Sequence, residues 1–440
     1  MEFEISYTNK EITPWGGLAL VRQMLGKMGF REMVEANPDL PQPGSNRGYD
    51  AATVIESFMT SIWCGANRFL HTEVTRHDAA LGKIFDWKRT PGQDVYKRFF
   101  GKFTQAKNLR VGEYFYKWIF DNLKFDNFTL DIDSTVMTRF GEQQEGAKKG
   151  YNPAKRGRRS HHPLIAFVAD VKLVANMWLR SGDASSANNF LSFLEDTLSK
   201  LGGRTVGLVR LDSGFFQSEI LDYLEDRSLD YIVAARFTRP VQRAVAGGAG
   251  WITLDDGIQI REQMYESASW TRGRRMIIVR QKISERPNAP GKQLSLFPDE
   301  EEYRNYRYSA YVTNLKMAAS DIWRLYRNRA DSENRIKELK YDFGFDSFNL
   351  KDFYATEAAL TFAMIAYNLM SIFRTFLLQE KTQKHLSTLR YRTFAIGSYF
   401  ENINGKLVLK MSLQKRRRAW FSGLWTYSKT FEHPFVFSNA

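Results

Sequence analysis

The stretch FTLDIDSTV, residues 128–136, decides the fold, because apolar and polar residues alternate along most of it. This period of two residues is typical of a half-buried β-strand. Two acidic residues in the stretch, Asp131 and Asp133, are two positions apart and therefore point to the same face of the strand. The alternation alone leaves open which of the two carboxylates is the better candidate for a ligand at that face.

Predicted strands and helices alternate after this stretch, and one more acidic residue, Asp212, lies at a strand end. Three strands followed by a helix, a strand, a helix and a strand are typical of an α/β layer fold. Such folds bind ligands in the crevice at the ends of their strands. Strands are predicted in 162–175, 176–180, 205–211 and 231–236, and helices in 186–201 and 217–224.

Residues 1–125 are predicted to be mostly helical, because apolar residues recur at helical spacing in 51–63 and 111–120. Between these two helices we expect shorter helical pieces that are broken at Gly82 and at Pro91–Gly92. The last piece, 93–103, carries three basic residues and is compatible with a helix-turn-helix whose second helix meets DNA. Short helices separated by glycine are also common in proteins that do not bind DNA.

Residues 237–318 interrupt the alternation of strands and helices. β-like runs at 276–279 and 306–313 predict a β-rich insertion, and the proline-rich segment 285–302 predicts a mobile loop. Helical periodicity returns over 318–339, where Ser320 and Asp321 are placed to cap the helix. Glu333 lies on this helix.

The composition favours a nucleic-acid partner and excludes several classes of protein. The 440 residues include 63 Lys or Arg and 49 Asp or Glu, a net charge of +14, which suggests an anionic partner. A single cysteine, Cys64, excludes a disulfide framework and a zinc site built from cysteines. The uncharged run 358–373 is shorter than the ~18–20 residues that span a bilayer. We therefore expect a buried core helix there and no membrane partner.

Much of the positive charge lies near the C-terminus. Residues 381–440 hold eleven Lys or Arg against two Glu, and the charge is densest at 415–418, where Arg416, Arg417 and Arg418 follow a lysine. Aromatic residues are interleaved with these cations, a composition that suits a phosphate backbone and stacked bases. The alternative is a solvated tail with a few anchoring aromatic residues.

The three acids Asp133, Asp212 and Glu333 have the chemistry of a divalent-cation site. Carboxylate oxygens are hard ligands that suit Mg²⁺ or Mn²⁺. On a continuous helix, Tyr326, Arg329, Glu333 and Lys340 share one narrow stripe, because their offsets are 0, 3, 7 and 14 residues. The simpler interpretation of that stripe is a solvated face with an Arg329–Glu333 pair, which stabilises a helix by about 0.2–0.5 kcal/mol.

The spacing Tyr-x2-Arg-x3-Glu-x6-Lys, met at Tyr326, Arg329, Glu333 and Lys340, resembles the signature of one branch of the DDE-type insertion-sequence transposases. The LDIDST context of Asp133 and the RLDSGF context of Asp212 look like the first and second acidic sites of that family. The resemblance covers about residues 128–345 and includes the insertion. It favours Asp133 over Asp131, because the first acid of the family usually precedes a small residue and a threonine.

The resemblance implies an α/β ribonuclease H-like core, a mixed sheet with flanking helices, that is interrupted by a β-rich insertion and has helical N-terminal and basic C-terminal regions. Asp133, Asp212 and Glu333 would bind two Mg²⁺ or Mn²⁺ ions, which assist cleavage of a phosphodiester and attack by the freed 3′-hydroxyl. Arg329 and Lys340 would hold DNA phosphates, and Tyr326 would donate a hydrogen bond to one. Some relatives flip a base onto an aromatic residue of the insertion. Candidates here are Trp251, Trp270, Tyr303 and Tyr306.

The implied partners are double-stranded DNA, as terminal inverted repeats and as target DNA, and a second copy of the chain, so that a homodimer acts on DNA. We expect the protein to be DNA-associated in a prokaryotic cytoplasm. A basic turn, KKGYNPAKRGRR at 148–159, could hold the DNA end, or could be a solvated hairpin; its cations include Lys155, Arg156, Arg158 and Arg159.

The expected organisation has five parts. They are a helical DNA-binding region (1–125), the first part of the catalytic core (126–236), the β-rich insertion (237–318), the second part of the core (319–376) and the basic C-terminal region (377–440). Two other functions fit the same scaffold: a non-catalytic DNA-binding regulator, and a nuclease that does not transfer strands.

Overall fold

The structure is a computed structural model that describes residues 3–255, 257–268, 270–283, 306–379 and 383–437. The α-helices are α1 (Ala19–Lys27), α2 (Phe30–Glu35), α3 (Ala51–Trp63), α4 (Thr72–Arg76), α5 (Ala79–Ile84), α6 (Gln93–Phe100), α7 (Gln105–Asp121), α8 (Phe190–Leu201), α9 (Ser218–Asp226), α10 (Arg239–Ala246), α11 (Ala319–Arg327), α12 (Ala330–Asp342), α13 (Phe353–Ile372), α14 (Leu386–Leu389) and α15 (Lys415–Thr430).

The strands are β1 (Ile12–Thr13), β2 (Leu123–Lys124), β3 (Phe128–Ser134), β4 (Met137–Thr138), β5 (Lys148–Lys149), β6 (Arg159–His161), β7 (Leu164–Val168), β8 (Leu173–Trp178), β9 (Val206–Leu211), β10 (Tyr231–Ala234), β11 (Ile252–Asp255), β12 (Ile258–Tyr265), β13 (Arg274–Lys282), β14 (Tyr306–Thr313), β15 (Ser398–Ile403), β16 (Lys406–Met411) and β17 (Phe435–Val436).

A mixed sheet of nine strands organises the molecule. Its order is β11-β12-β13-β14-β10-β9-β3-β7-β8. The central strand β3 runs parallel to β9, and β9 runs parallel to β10, whereas β7 and β8 are antiparallel to their neighbours. The first strand of this sheet in chain order, β3, is central. The next two, β7 and β8, lie in turn on one side of it, and β9 and β10 lie in turn on the other side. This confirms the predicted mixed α/β fold with a large sheet and many helices.

Strand β3 is buried on both faces, so the prediction of a half-buried strand was wrong. Leu130 and Ile132 pack into the main hydrophobic core. Asp131 and Asp133 on the opposite face are also buried, at 0% and 7% exposure. The acidic face is covered because α11 packs over the sheet there, and its Ile322 joins Leu208 and Ile232 in a second, smaller core. The alternation in sequence reflects an apolar face and a buried charged face.

The insertion is part of the central sheet. It begins with a helix, α10, and its strands β11–β14 continue the sheet because β14 pairs with β10. The predicted β-like runs lie in β13 and β14. The loop predicted at 285–302 lies outside the described residues. A single sheet thus connects the edge of the insertion to the strand that carries Asp133.

Helix α13 is the central helix of the protein, as its apolar composition predicts. Asp352 caps its first turn by accepting hydrogen bonds from the backbone N–H groups of Tyr354 and Ala355. Phe353–Leu377 is long and apolar enough to cross a membrane by composition, but 83% of its most apolar window is buried inside the protein. The helix therefore has the environment of a core helix.

The N-terminal helices form around an aromatic core, and the terminal regions pack together. Phe58 of α3 contacts the rings of Tyr96, Phe100 and Phe348. Strand β1 pairs with β15, β15 pairs with β16, and α1 packs against α15. The predicted break at Gly82 was wrong: this glycine lies inside α5, which Asp78 caps through the N–H of Leu81 at 2.8 Å.

Asn368 supplies the hydrogen bonds that the edge strand β8 lacks on its outer side. Its Oδ1 accepts from Val174 N at 2.7 Å, and its Nδ2 donates to Val174 O at 2.8 Å. Both residues are fully buried. The side chain thus makes two hydrogen bonds of the kind that a further strand would make, and it fixes α13 against the sheet.

We expect Asn368→Ala to destabilise the protein by about 2–5 kcal/mol, because it leaves one buried backbone donor and one buried acceptor unpaired. Thr361→Ala is the matched control on the same helix, since Thr361 bonds only to Glu357 O one turn earlier. We expect it to cost less than about 1 kcal/mol. Urea-unfolding midpoints measure both changes, and equal losses in the two variants would contradict this role of Asn368.

Candidate active site at the ends of two parallel strands

Asp133 and Asp212 lie side by side because of the register of β3 and β9. Ile132 is paired with Leu211 in this parallel ladder, so the next residue of each strand is an aspartate. Neighbouring strands are about 4.8 Å apart, and residues in register on parallel strands point to the same face. The two predicted acids, 79 positions apart in the chain, are therefore neighbours at one end of the sheet.

Asp133 is a buried carboxylate with an unusual proton affinity. Its Oδ2 lies 2.9 Å from Arg329 Nη2, and its Oδ1 accepts from Ser134 N at 2.8 Å. Burial, the largest cause, and the negative charges of Asp212 and Glu333 together raise its pKa to about 6, against the lowering effect of Arg329. Asp212 and Glu333 therefore both lie within electrostatic reach of Asp133.

Asp212 is held at the start of a tight turn. It precedes a 3₁₀ turn, Ser213–Phe215, and its Oδ1 accepts from Gly214 N at 2.9 Å. Gly214 is needed there, because a Cβ at this position would lie 2.7 Å from Ser186 Oγ. The same Ser186 hydroxyl lies 2.8 Å from Ser134 Oγ. The loop that contains Ser186 therefore closes over the ends of both strands.

The helix predicted over 318–339 is two helices, α11 and α12, which are separated at Asn328 and Arg329. The prediction of one continuous helix was wrong, and so was the capping role of Ser320 and Asp321, because α11 begins after Ala318 without a side-chain cap. The break turns Arg329 into the protein, where it is buried at 6% exposure. Arg329 pairs with Asp133 there, so the alternative of an Arg329–Glu333 pair is also wrong.

The other signature residues converge on the same strand ends. Tyr326 donates its hydroxyl hydrogen bond to Leu211 O at 3.3 Å, and Lys340 donates to Val136 O at 2.9 Å. Glu333 is exposed in the first turn of α12. Burial raises the pKa of Tyr326 and lowers that of Lys340. The predicted stripe is thus divided: Tyr326 lies on α11, Arg329 lies at the break, and Glu333 and Lys340 lie on α12.

Asp131 has a different partner from Asp133. Arg210 on β9 donates to both of its carboxylate oxygens, at 2.6 and 2.8 Å, and also to Leu325 O at 2.5 Å. A carboxylate that is fully used by a bidentate guanidinium is poorly available to a metal ion. Sequence reasoning missed Arg210, although a lone arginine in the apolar run VGLVRL indicates a buried charge that needs a partner.

The tightest group of potential metal ligands lies elsewhere. Among the described residues, Glu338, Asp342 and His385 form the set of three whose ligand atoms all lie within 4.8 Å. Glu338 accepts two hydrogen bonds from Arg374 and one from Leu386 N. Asp342 lies 3.5 Å from Arg390 and accepts from Ser387. Glu338 and Asp342 thus have cationic partners, as Asp133 does, and the ligand atoms of Asp133, Asp212 and Glu333 do not all lie within this distance of one another.

The predicted basic surfaces are exposed, and both include aromatic rings. Lys155 lies 4.6 Å from the ring of Phe140, which is itself exposed. Lys155, Arg156 and Arg158 lie in the turn that joins β5 to β6, and Arg159 is the first residue of β6. Arg416, Arg417 and Arg418 lie in the first turn of α15, where Arg417 is 5.0 Å from the ring of Trp420. Cations and rings are thus combined at two places on the surface.

Of the aromatic candidates for base stacking, Trp270 contacts a residue that closely follows Asp212 in the chain. Its ring is 5.4 Å from Phe216, four residues after Asp212. Trp251 and Tyr306 both lie against the guanidinium of Arg280, at 4.2 and 4.5 Å. Tyr303 lies outside the described residues.

Comparison with known proteins defines the family. The family model described as "Transposase DDE domain group 1" matches residues 2–427, so the chain belongs to this family of DDE transposases. A search of curated proteins finds no significant match. Among solved structures, the chain is similar to a cryo-EM structure of the piggyBac transposase synaptic complex with hairpin DNA. The TM-score is 0.48 and the sequence identity 10%, over 87% of this chain and 81% of that chain.

The raised pKa of Asp133 predicts a pH dependence of stability in EDTA. The folded protein binds this proton more tightly than the unfolded chain, whose pKa is near 3.8. The resulting stabilisation is complete below that value and is lost as the pH rises through about 6. Between pH 4 and 7 we expect the wild-type protein to lose about 2–3 kcal/mol more than Asp133→Asn. Urea unfolding across this range tests the expectation, and parallel pH profiles of the two proteins would contradict it.

Proposed function

We propose that this DDE transposase cuts the ends of an insertion sequence and joins them to target DNA by phosphodiester hydrolysis followed by strand transfer. The observation that carries the proposal is the pairing of β3 with β9, which brings Asp133 and Asp212 together with Glu333 in electrostatic reach. Two Mg²⁺ or Mn²⁺ ions are the proposed cofactors, held by these three acids.

The order of the strands supports a ribonuclease H-like catalytic core. Strands β8, β7, β3, β9 and β10 are adjacent in that order, with β7 antiparallel to the central strand and β9 and β10 parallel to it. We propose that these five strands with α12 and α13 form the catalytic core, divided as 126–236 and 319–376. Residues 237–318 form the insertion between the two parts.

The three acids fit divalent cations on chemical grounds. They are carboxylates, the ligand type that Mg²⁺ and Mn²⁺ prefer, and their mutual repulsion already raises the pKa of Asp133. Bound divalent cations supply Lewis-acid activation of the attacking oxygen and stabilise the charge on the leaving 3′-oxygen. Water would attack the phosphodiester at the end of the element and release a 3′-hydroxyl. That hydroxyl would then attack a phosphodiester of the target. One phosphodiester bond would form as another breaks, and the target's own 3′-oxygen would leave.

The chain's cations would position the DNA. Arg329 and Lys340 lie at the strand ends with Tyr326, where a DNA phosphate would meet them, and a guanidinium suits phosphate as well as carboxylate. The turn 150–158 and the start of α15 would contact the phosphate backbone farther from the acids. We propose that the N-terminal helices 1–125 and the basic region 377–440 also bind the terminal repeats.

The proposed assembly is a homodimer on DNA in a prokaryotic cytoplasm, because joining two ends of an element requires two active sites in one complex. The net charge of +14 supports binding to DNA without sequence specificity. Contacts with base edges would add recognition of the terminal repeats.

Cleavage of DNA that carries the element's terminal repeats tests the catalytic assignment. With Mg²⁺, we expect Asp133→Ala, Asp212→Ala and Glu333→Ala each to reduce nicking by about 10³-fold or more. Binding of the same DNA in EDTA should persist. Asp331→Ala is the matched control, since Asp331 lies in the same helical turn as Glu333 and pairs with Arg335 instead. It should cleave like the parent protein.

Other outcomes of this experiment would identify another function. Equal cleavage by the parent and all three variants would refute the assignment of the acids. Binding without cleavage by the parent, with Mg²⁺ or with Mn²⁺, would indicate a regulator on this scaffold. Cleaved ends that never join a target plasmid would indicate a nuclease.

A further inference from the structure

Residues 3–11, here called the arm, precede the first strand and carry unusually exposed apolar side chains. Phe3, Ile5 and Tyr7 are 85%, 80% and 98% exposed. They alternate with Glu4 and Ser6, a period of two that is typical of a β-strand with one apolar face. Single exposed apolar residues are ordinary on protein surfaces, but a row of three on one strand face indicates a surface that binds a partner.

Within the described part of the chain, the arm contacts the rest of the protein at its C-terminal end. Lys10 lies 4.0 Å from the ring of Tyr399, and Glu11 pairs with Lys83. Ile12 and Thr13 then form β1, opposite Tyr399 and Ser398 of β15. The attachment therefore begins just after the apolar row ends.

The arm cannot complete a strand on its own copy of β15. Ile12 is paired with Tyr399 in an antiparallel register, so continuing the pairing would place Tyr7 opposite Asn404. Asn404 and Gly405, with φ of 51° and 78°, form the turn between β15 and β16. Phe3 and Ile5 would extend beyond the end of this hairpin. Their partner must be another strand.

The outer strand of the same small sheet offers a complementary surface. The described sheet ends at β16, so the backbone groups on the outer edge of β16 face no further strand of the sheet. Leu407, Leu409 and Met411 form a row with the same spacing as the apolar row of the arm. Leu407 is 63% exposed, whereas Leu409 and Met411 are half-buried and Met411 packs against the main core. Exposed edges of this kind readily pair with another chain.

We infer that the arm of one copy adds as a strand to the outer edge of β16 in a second copy, so that two copies exchange arms. Pairing the centres of the two rows in antiparallel register places Ile5 opposite Leu409 and Glu4 opposite Lys410. Glu4 would thus join Glu401 of β15, whose carboxylate lies 3.4 Å from Lys410 Nζ, around one cation. The inference specifies the contact of the proposed homodimer and to that extent rests on the proposed function.

Self-association without DNA or metal tests the arm exchange. Light scattering after size-exclusion chromatography should show a wild-type dimer, and Phe3→Ser/Ile5→Ser/Tyr7→Ser should weaken it by about 100-fold or more. The matched control is Leu70→Ser/Val74→Ser, which removes apolar side chains that are 63% and 72% exposed elsewhere. The control should dimerise like the wild type. A monomeric wild type, or an equal loss in the control, would overturn the inference.

Cysteine cross-linking tests the register. Burial raises the pKa of the Cys64 thiol well above its ordinary value, which slows its reaction with a maleimide. Because Cys64 is half-buried, the parent chain treated with the same reagent is the control. A short bismaleimide should link an Ile5→Cys chain to a differently tagged Leu409→Cys chain in a mixture of the two. In the doubly substituted chain it should link separate copies. A link within one chain, or none, would exclude arm exchange.

Neither the dimerisation test nor the cross-linking test uses DNA. Failure of these tests would therefore not contradict the cleavage assignment, and failed cleavage would not contradict the arm contact.

Discussion

The parallel pairing of β3 with β9 is the constraint on which the rest of the site depends. It places two carboxylates at one sheet end, one of them buried, although like charges at this separation repel each other. The protein offsets the repulsion with Arg329, which reaches Asp133 because the chain breaks between α11 and α12. A buried carboxylate with a pKa of about 6 and a single guanidinium partner is a site where added positive charge is favourable.

The ion pair Asp131–Arg210 differs in geometry from the ion pair Asp133–Arg329. Both acids lie on β3 with the same orientation and similar burial. Arg210 donates to both oxygens of Asp131, whereas Asp133 shares one oxygen with Arg329 and is close to two other acids. The same strand therefore carries a bidentate ion pair, which links β3 to β9, and two residues later a carboxylate whose contact with an arginine uses one oxygen.

Local periodicity predicted most elements of the core. Strand β3, the strand that ends at Asp212 and the core helix α13 were all predicted, since alternation and apolar composition are properties of short segments. The break at Asn328 has no signal in the local sequence, and the residue that follows it, Arg329, pairs with an aspartate almost 200 positions earlier in the chain. The join between the insertion and the core sheet depends on the pairing of β14 with β10, which also leaves no local signal. Roles for Asp133, Asp212 and Glu333 came from the resemblance to a family, and the strand register supplies a physical reason for two of them to be neighbours.

Anomalous diffraction from crystals soaked in Mn²⁺ without DNA tests the central claim most directly. The account predicts a manganese peak about 2–2.5 Å from carboxylate oxygens of Asp133 and Asp212, with Arg329 displaced from Asp133. The peak should be absent from crystals of Asp212→Asn. A peak at Glu338 and Asp342 alone, or none while Arg329 stays on Asp133, would contradict the account.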